Sequence, residues 1–142
     1  MKKRVMAATM LGALVLLVHG SPRAQADDRT RVFDAPVDRV WTVARSTLKS
    51  LGWDIDEEDR GVGWMRTDSR RLEGEDYGVY AKGVKHRLRV VVKGQDGGRT
   101  SVTVERHAWR EERILWMDRS EDIAISDHAV EQQILDAIGR IL

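Results

Sequence analysis

Cysteine is absent from all 142 residues. No disulfide can form, so an exported form of this chain would draw its stability from a packed core. Nucleophilic catalysis by a thiolate and the C-x-x-C metal spacing are excluded with it, and no cysteine exists to carry an acyl anchor. A membrane-spanning run is also missing: the uncharged stretch Val5 to Val18 has 14 residues, against the roughly 20 that a helix needs to cross a bilayer. The chain has no H-E-x-x-H, EF-hand, P-loop or G-x-S-x-G pattern, and with those patterns the common hydrolytic and phosphate-binding chemistries lose their sequence basis.

What the first 26 residues do have is the order of a secretory signal. Lys2, Lys3 and Arg4 precede the uncharged stretch, and Ala24-Gln25-Ala26 supplies small residues at a cleavage site. Cleavage is expected between Ala26 and Asp27, which makes residues 1–26 a signal peptide and residues 27–142 one domain in the periplasm. Removing the signal takes away four basic side chains and no acid, leaving 20 against 23 and a net charge of −3. No basic tract remains for a nucleic-acid backbone, so nucleic acid is excluded as an expected partner. A domain of this length can bury roughly two thirds of its unfolded surface.

The periodicities predict an α+β fold. Thr30 to Asp34 reads as a strand that runs into Pro36, a suitable first helical residue because its missing N–H would be unpaired there. Val37, Trp41, Ala44, Leu48 and Leu51 form one apolar stripe, and Gly52 ends the helix. Trp53 to Glu57 and Val62 to Thr67 read as strands around an Asp59-Arg60-Gly61 turn. The charged segment Asp68 to Gly83 reads as a long hairpin connection, itself open to an extended conformation, with Tyr77, Val79 and Ala81 on one side. Val84 to Lys93 and Arg99 to Trp109 form a hairpin around Gly94 to Gly98. The expected register sets Val92 opposite Thr100, Val90 opposite Val102 and Leu88 opposite Val104. Beyond Trp109 the chain reads as irregular until Ser126, which is expected to cap a final helix through Leu142. The result is an open antiparallel sheet of four or five strands with two helices on one face, in the order β-α-β-β-β-β-α.

Candidate chemistry is sparse. His86 and His107 fall on opposite faces of the hairpin, and His128 is expected in solvent, so no metal or acid/base site is assembled from them. Acids cluster at Asp54, Asp56, Glu57, Glu58 and Asp59, a pattern that fits a solvated strand edge; an enzyme would require them to converge with His86 in a cleft. No cofactor is expected. Among five tryptophans, Trp41, Trp53 and Trp64 fit a core. Trp109 and Trp116 bracket Arg110 and Arg113, a mixture of aromatics and arginine suited to a protein interface. Trp109, Arg110, Arg113 and Trp116 are therefore the candidate protein-binding residues, with Trp109 on the outer, polar face of the hairpin, to be covered by the following segment or by a partner.

The runs Val32-Phe33-Asp34-Ala35-Pro36-Val37-Asp38-Arg39-Val40-Trp41, Leu51-Gly52-Trp53 and Asp59-Arg60-Gly61-Val62-Gly63 resemble the opening of the domains of the BamC lipoprotein family, which belongs to the outer-membrane β-barrel assembly machinery. In that family a strand, a helix starting at an A-P-x-x-x-V-W-like run and a D-x-x-x-G turn precede an antiparallel sheet and a closing helix. The match covers the first third of the chain after residue 26. Short A-P-x-x-x-V-W runs also open helix-grip ligand-binding domains. This chain departs from the BamC family by lacking the lipidated cysteine and by having one domain where the family has two. The resemblance implies a fold and a Gram-negative periplasmic compartment. The expected function is a non-enzymatic interaction or envelope-assembly module that touches an envelope protein, and the alternative is a small-molecule or lipid carrier with an apolar cavity.

Overall fold

The computed structural model describes residues 27–142; the expected signal peptide and the Ala26 side of its cleavage site lie outside the described residues. The chain runs β1 (Thr30–Phe33), α1 (Val37–Ser50), β2 (Ile55–Asp59), β3 (Trp64–Thr67), β4 (Arg70–Asp76), β5 (Tyr80–Gln95), β6 (Arg99–Ile114), β7 (Met117–Ile123) and α2 (Ala129–Ile141). All seven strands belong to one antiparallel sheet. The expectation of four or five strands is thereby corrected: the stretches read as connection and irregular chain contain β4 and β7.

Two long strands organise everything else. β5 and β6 have 16 residues each and pair along their whole length, a ribbon of about 50 Å at the rise of a strand. Near their shared Asp96–Gly98 turn they are flanked by β1 and β3, with β2 beyond β3, in the order β1-β6-β5-β3-β2. Farther along, the flanking strands change: β4 pairs with residues 81–86 of β5 and β7 with residues 108–114 of β6. The sheet thus has a proximal half that carries the helices and a distal four-stranded extension, β4-β5-β6-β7.

The proximal half holds the core. Leu88, Val90 and Val92 from β5 and Val102 and Val104 from β6 cluster with Val40, Trp41, Ala44 and Leu48 of α1 and Ile134, Leu135 and Ile138 of α2. Both helices therefore lie on the same face. The hairpin register differs from the expected one by two residues: Val92 faces Val102 and Val90 faces Val104, with Leu88 opposite Arg106. A shift of two keeps every side chain on its face, so alternation is blind to it. What decides it is the turn, which closes over Asp96, Gly97 and Gly98, with both glycines at positive φ, rather than over five residues.

Helix α1 ends as its sequence indicates. Gly52 sits at φ 79°, its N–H donates to Lys49 O at 2.9 Å, and Trp53 N–H donates to Leu48 O at 2.9 Å, the paired closing bonds of a Schellman motif. Pro36 lies one residue before the helix, in extended conformation. Helix α2 begins later than expected: His128 stands at its cap position and Ser126 does not cap it, while Asp127 accepts from the Ala129 N–H at 2.9 Å.

Apart from the buried Ala81, His86 and Ala108, the extension lacks the apolar alternation of the proximal half because most of its side chains reach water on both faces. Its charges pair across strands instead: Lys85 with Glu111 at 2.8 Å, Arg110 with Glu121 at 3.7 Å, and His107 with Asp122 at 2.9 Å. Opposite charges on facing strands favour pairing by a few tenths of a kcal/mol up to about 1 kcal/mol each, and charged outer strands also discourage edge-to-edge association. Gly74 of β4 and Gly83 of β5 face one another; a Cβ on either would run into backbone of the other strand.

Candidate functional site

The distal end of the extension is where apolar surface gathers. Tyr80 pairs with Ile114 across β5 and β6, and Ile114 with Met117 across β6 and β7. The β4–β5 connection contributes Tyr77 and Val79, and the two-residue turn between β6 and β7 is Leu115-Trp116. Of the twelve large hydrophobic side chains exposed among the described residues, these seven share one end of the sheet, and Trp116 is the most open at 85%. Scattered single apolar residues are ordinary on a soluble surface, whereas a contiguous group marks a contact.

The end is well built. Tyr77 N–H donates to Tyr80 O at 2.7 Å, and Leu115 N–H donates to Val79 O at 2.6 Å, tying the two hairpin tips together. Arg113 donates to Gly78 O at 3.2 Å and faces Asp76 at 3.6 Å and Asp118 at 3.4 Å. The Gly78 N–H and the Arg71 guanidinium hold the Asp76 carboxyl below the usual carboxylate range, so the base of the tip keeps its charge pairs. Leu115 stands at φ 57°, a left-handed conformation that glycine and asparagine adopt at little cost and branched or bulky residues resist. Local turn chemistry thus disfavours the leucine held there.

The four candidate binding residues do not form one site. Trp109 lies on the outer face opposite Lys85, about 20 Å from the tip at the rise of a strand. It is half-buried by its own sheet: the His107 ring stacks on it at 5.1 Å and the Arg87 guanidinium lies 5.5 Å from its centroid. Part of the cover posed from sequence thus comes from neighbouring side chains of the same sheet, and the rest of the ring stays open. Arg110 pairs with Glu121 and lines an open groove of about 470 Å³ with Glu73, Tyr80 and Lys82. Arg113 buttresses the tip, and only Trp116 belongs to the exposed apolar group. Tyr77, Val79, Tyr80, Ile114, Leu115 and Met117 complete it.

The histidines separate as alternation requires, His86 buried on the inner face and His107 exposed on the outer. His128 departs from the expectation of solvent: it is part-buried, with Nδ1 3.2 Å from Glu131 Oε1. Glu131 is itself 1% exposed and faces Arg106 of β6 at 3.6 Å. This buried pair ties α2 to the sheet. The acids of β2 are engaged with arginines: Asp56 and Glu57 with Arg66 at 3.0 and 2.8 Å, Glu58 with Arg45 at 3.0 Å. Among the described residues no three His, Asp or Glu side chains converge as metal ligands would, and no helix is long and apolar enough to cross a membrane.

His86 makes folding sensitive to pH. It packs edge-on to Trp53 at 5.0 Å, and Nδ1 has no hydrogen-bond partner in the protein. Burial first, then the nearby charges of Arg106 and Arg70, push its pKa below the ordinary imidazole value. The unfolded chain takes up this proton near pH 6.5, and the folded chain resists it. The contribution to stability is therefore complete above the unfolded pKa and is lost as pH falls from there through the folded value. Denaturation midpoints of the wild type should fall more steeply between about pH 7 and pH 5 than those of His86→Gln; equal slopes would remove His86 as the cause.

The chain matches no protein-family model and no curated protein.

Proposed function

We propose that this chain is a non-enzymatic periplasmic module that docks onto another component of the cell envelope through the distal end of its four-stranded extension. The observation that carries this reading is the group of seven exposed apolar side chains at that end. They are held by a hydrogen-bonded double tip, on a turn whose backbone favours other residue types. Residues kept against local conformational preference point to a use outside folding. The periplasmic placement rests on the Lys2 to Ala26 pattern, and the envelope setting agrees with the resemblance of residues 32–63 to the BamC lipoproteins.

The carrier reading is less well supported. A carrier needs unfilled space between sheet and helices, and there Leu48, Met65, Leu88, Val90, Val92, Ile134 and Ile138 pack together at 2% exposure or less. The chain's lack of cysteine supplies a clean test. Trp116→Cys and, at the opposite end of the ribbon, Asp96→Cys each create a single thiol for labelling in intact cells. Protection at 116 with ready labelling at 96 is the expected outcome.

A further inference from the structure

We infer that the occupant of this docking end is a lipid surface, with the tip dipping into the headgroup and acyl boundary of a membrane. The inference rests on the docking reading above and adds the identity of the partner.

Charge is laid out in levels along the extension. From Tyr77 to Ala81 and from Ile114 to Met117 there is no charged side chain. Immediately below, every strand turns charged at once: Asp76 on β4, Lys82 on β5, Arg113 on β6 and Asp118 on β7. Asp76 pairs with Ala81, Ala81 with Arg113, and Arg113 with Asp118, so three of these four share one rung of the sheet, with Lys82 on the next. A boundary that falls within one rung on all four strands is nearly level, as the surface of a bilayer is. The uncharged cap above it extends by one rung and a turn, about 7 Å at the rise of a strand, which fits the roughly 5–10 Å to which interfacial elements enter a membrane.

The composition and the backbone agree with lipid. Trp116 at the apex and Tyr77 and Tyr80 beside it are the side chains that prefer the interface between water and hydrocarbon, and Val79, Ile114, Leu115 and Met117 supply the apolar remainder. Hydrocarbon offers no hydrogen bonds, so an inserted backbone has to satisfy itself. The N–H groups of Tyr77, Val79 and Leu115 donate to carbonyls within the tip, that of Gly78 donates to Asp76 at 2.9 Å, and Gly78 O accepts from Arg113. Arg113 lies between Asp76 and Asp118, with Arg71 also on Asp76 at 3.2 Å, so apart from the single Lys82 the boundary presents paired charges rather than a basic patch. Binding should therefore depend little on anionic lipid or on salt.

Flotation of the purified chain with phospholipid vesicles tests this. One set contains phosphatidylethanolamine with phosphatidylglycerol, and the other contains phosphatidylcholine alone. The chain should float with both, and the fraction bound should change less than about twofold on raising salt from low to physiological strength. Leu115→Gly with Trp116→Asn places glycine at the one turn position of positive φ and a polar turn residue after it, so it should fold at least as well as the wild type while losing vesicle binding by tenfold or more. Tyr77→Ser with Val79→Ser removes the other half of the cap and should show the same loss. Absence of flotation by the folded wild-type chain, or unchanged flotation of both folded variants, would overturn the inference. If position 116 is protected in cells and the purified chain ignores vesicles, the tip docks on a protein: the docking reading stands and the lipid assignment falls. If position 116 is also unprotected in cells, both fall.

Discussion

Glu131→Ala is expected to destabilise the fold by about 3–5 kcal/mol, the range for removing one member of a buried ion pair. The carboxylate is 1% exposed, and Arg106, whose side chain is 13% exposed, faces it at 3.6 Å. That separation is long for a hydrogen bond, and Arg106 Nε and Glu131 Oε2 have no hydrogen-bond partner. The pair is thus held by charge alone on that side, and truncating the acid leaves the guanidinium with its hydrogen bond to Asp127 O but no counter-charge, in a largely desolvated place. The companion measurement is the double variant Arg106→Met with Glu131→Leu. Replacing both charges with apolar groups avoids the stranded ion and should recover most of the loss. Urea denaturation of the two single variants and the double gives the coupling between them; strictly additive losses would show that the residues act independently and that α2 is held to the sheet by its apolar stripe only.

Trp41→Ala should cost a similar 3–5 kcal/mol, for a different reason. Trp41 is 5% exposed within the core, and deleting a buried indole loses its transfer free energy and leaves a cavity. Trp116→Ala should change stability by less than about 0.5 kcal/mol, because an 85% exposed side chain has little packing to lose. The contrast separates two uses of the same residue type in one chain. Thermal unfolding of the two variants side by side reads it, and comparable losses would mean that Trp116 has an intramolecular role.

Much of the proximal half was legible in the sequence because burial writes itself as periodicity. The Trp41, Ala44 and Leu48 stripe and Gly52 located α1, and the alternation of Leu88, Val90, Val92, Val102 and Val104 located the central hairpin and its inward face. Its register was not legible, since a shift of two residues leaves that alternation intact and the glycine-rich turn allows either loop length. β7 was invisible, and β4 legible only as a connection open to an extended conformation, for the converse reason. Arg70 to Asp76 and Met117 to Ile123 are wet on both sides, so their side chains carry no apolar period; β4 is held by a ladder to β5 and β7 by one to β6. The site lay in the same blind region. A usable signal was present: the uncharged islands around Val79 and Leu115 stand equally far from the Asp96–Gly98 turn, so extending the hairpin would have brought Tyr80 opposite Ile114. Choosing Trp109 with Trp116 followed from their closeness in sequence, which a strand converts into distance.

The central claim is that the apolar tip is occupied in the cell, and thiol accessibility at position 116 tests it most directly. Asp96→Cys sits on the exposed turn at the other end of the ribbon and reports free access to the same compartment. A polar maleimide should label the cysteine at 96 readily in intact cells while that at 116 is protected, and both should label equally in the purified protein. Equal labelling of the two positions in cells would contradict the claim.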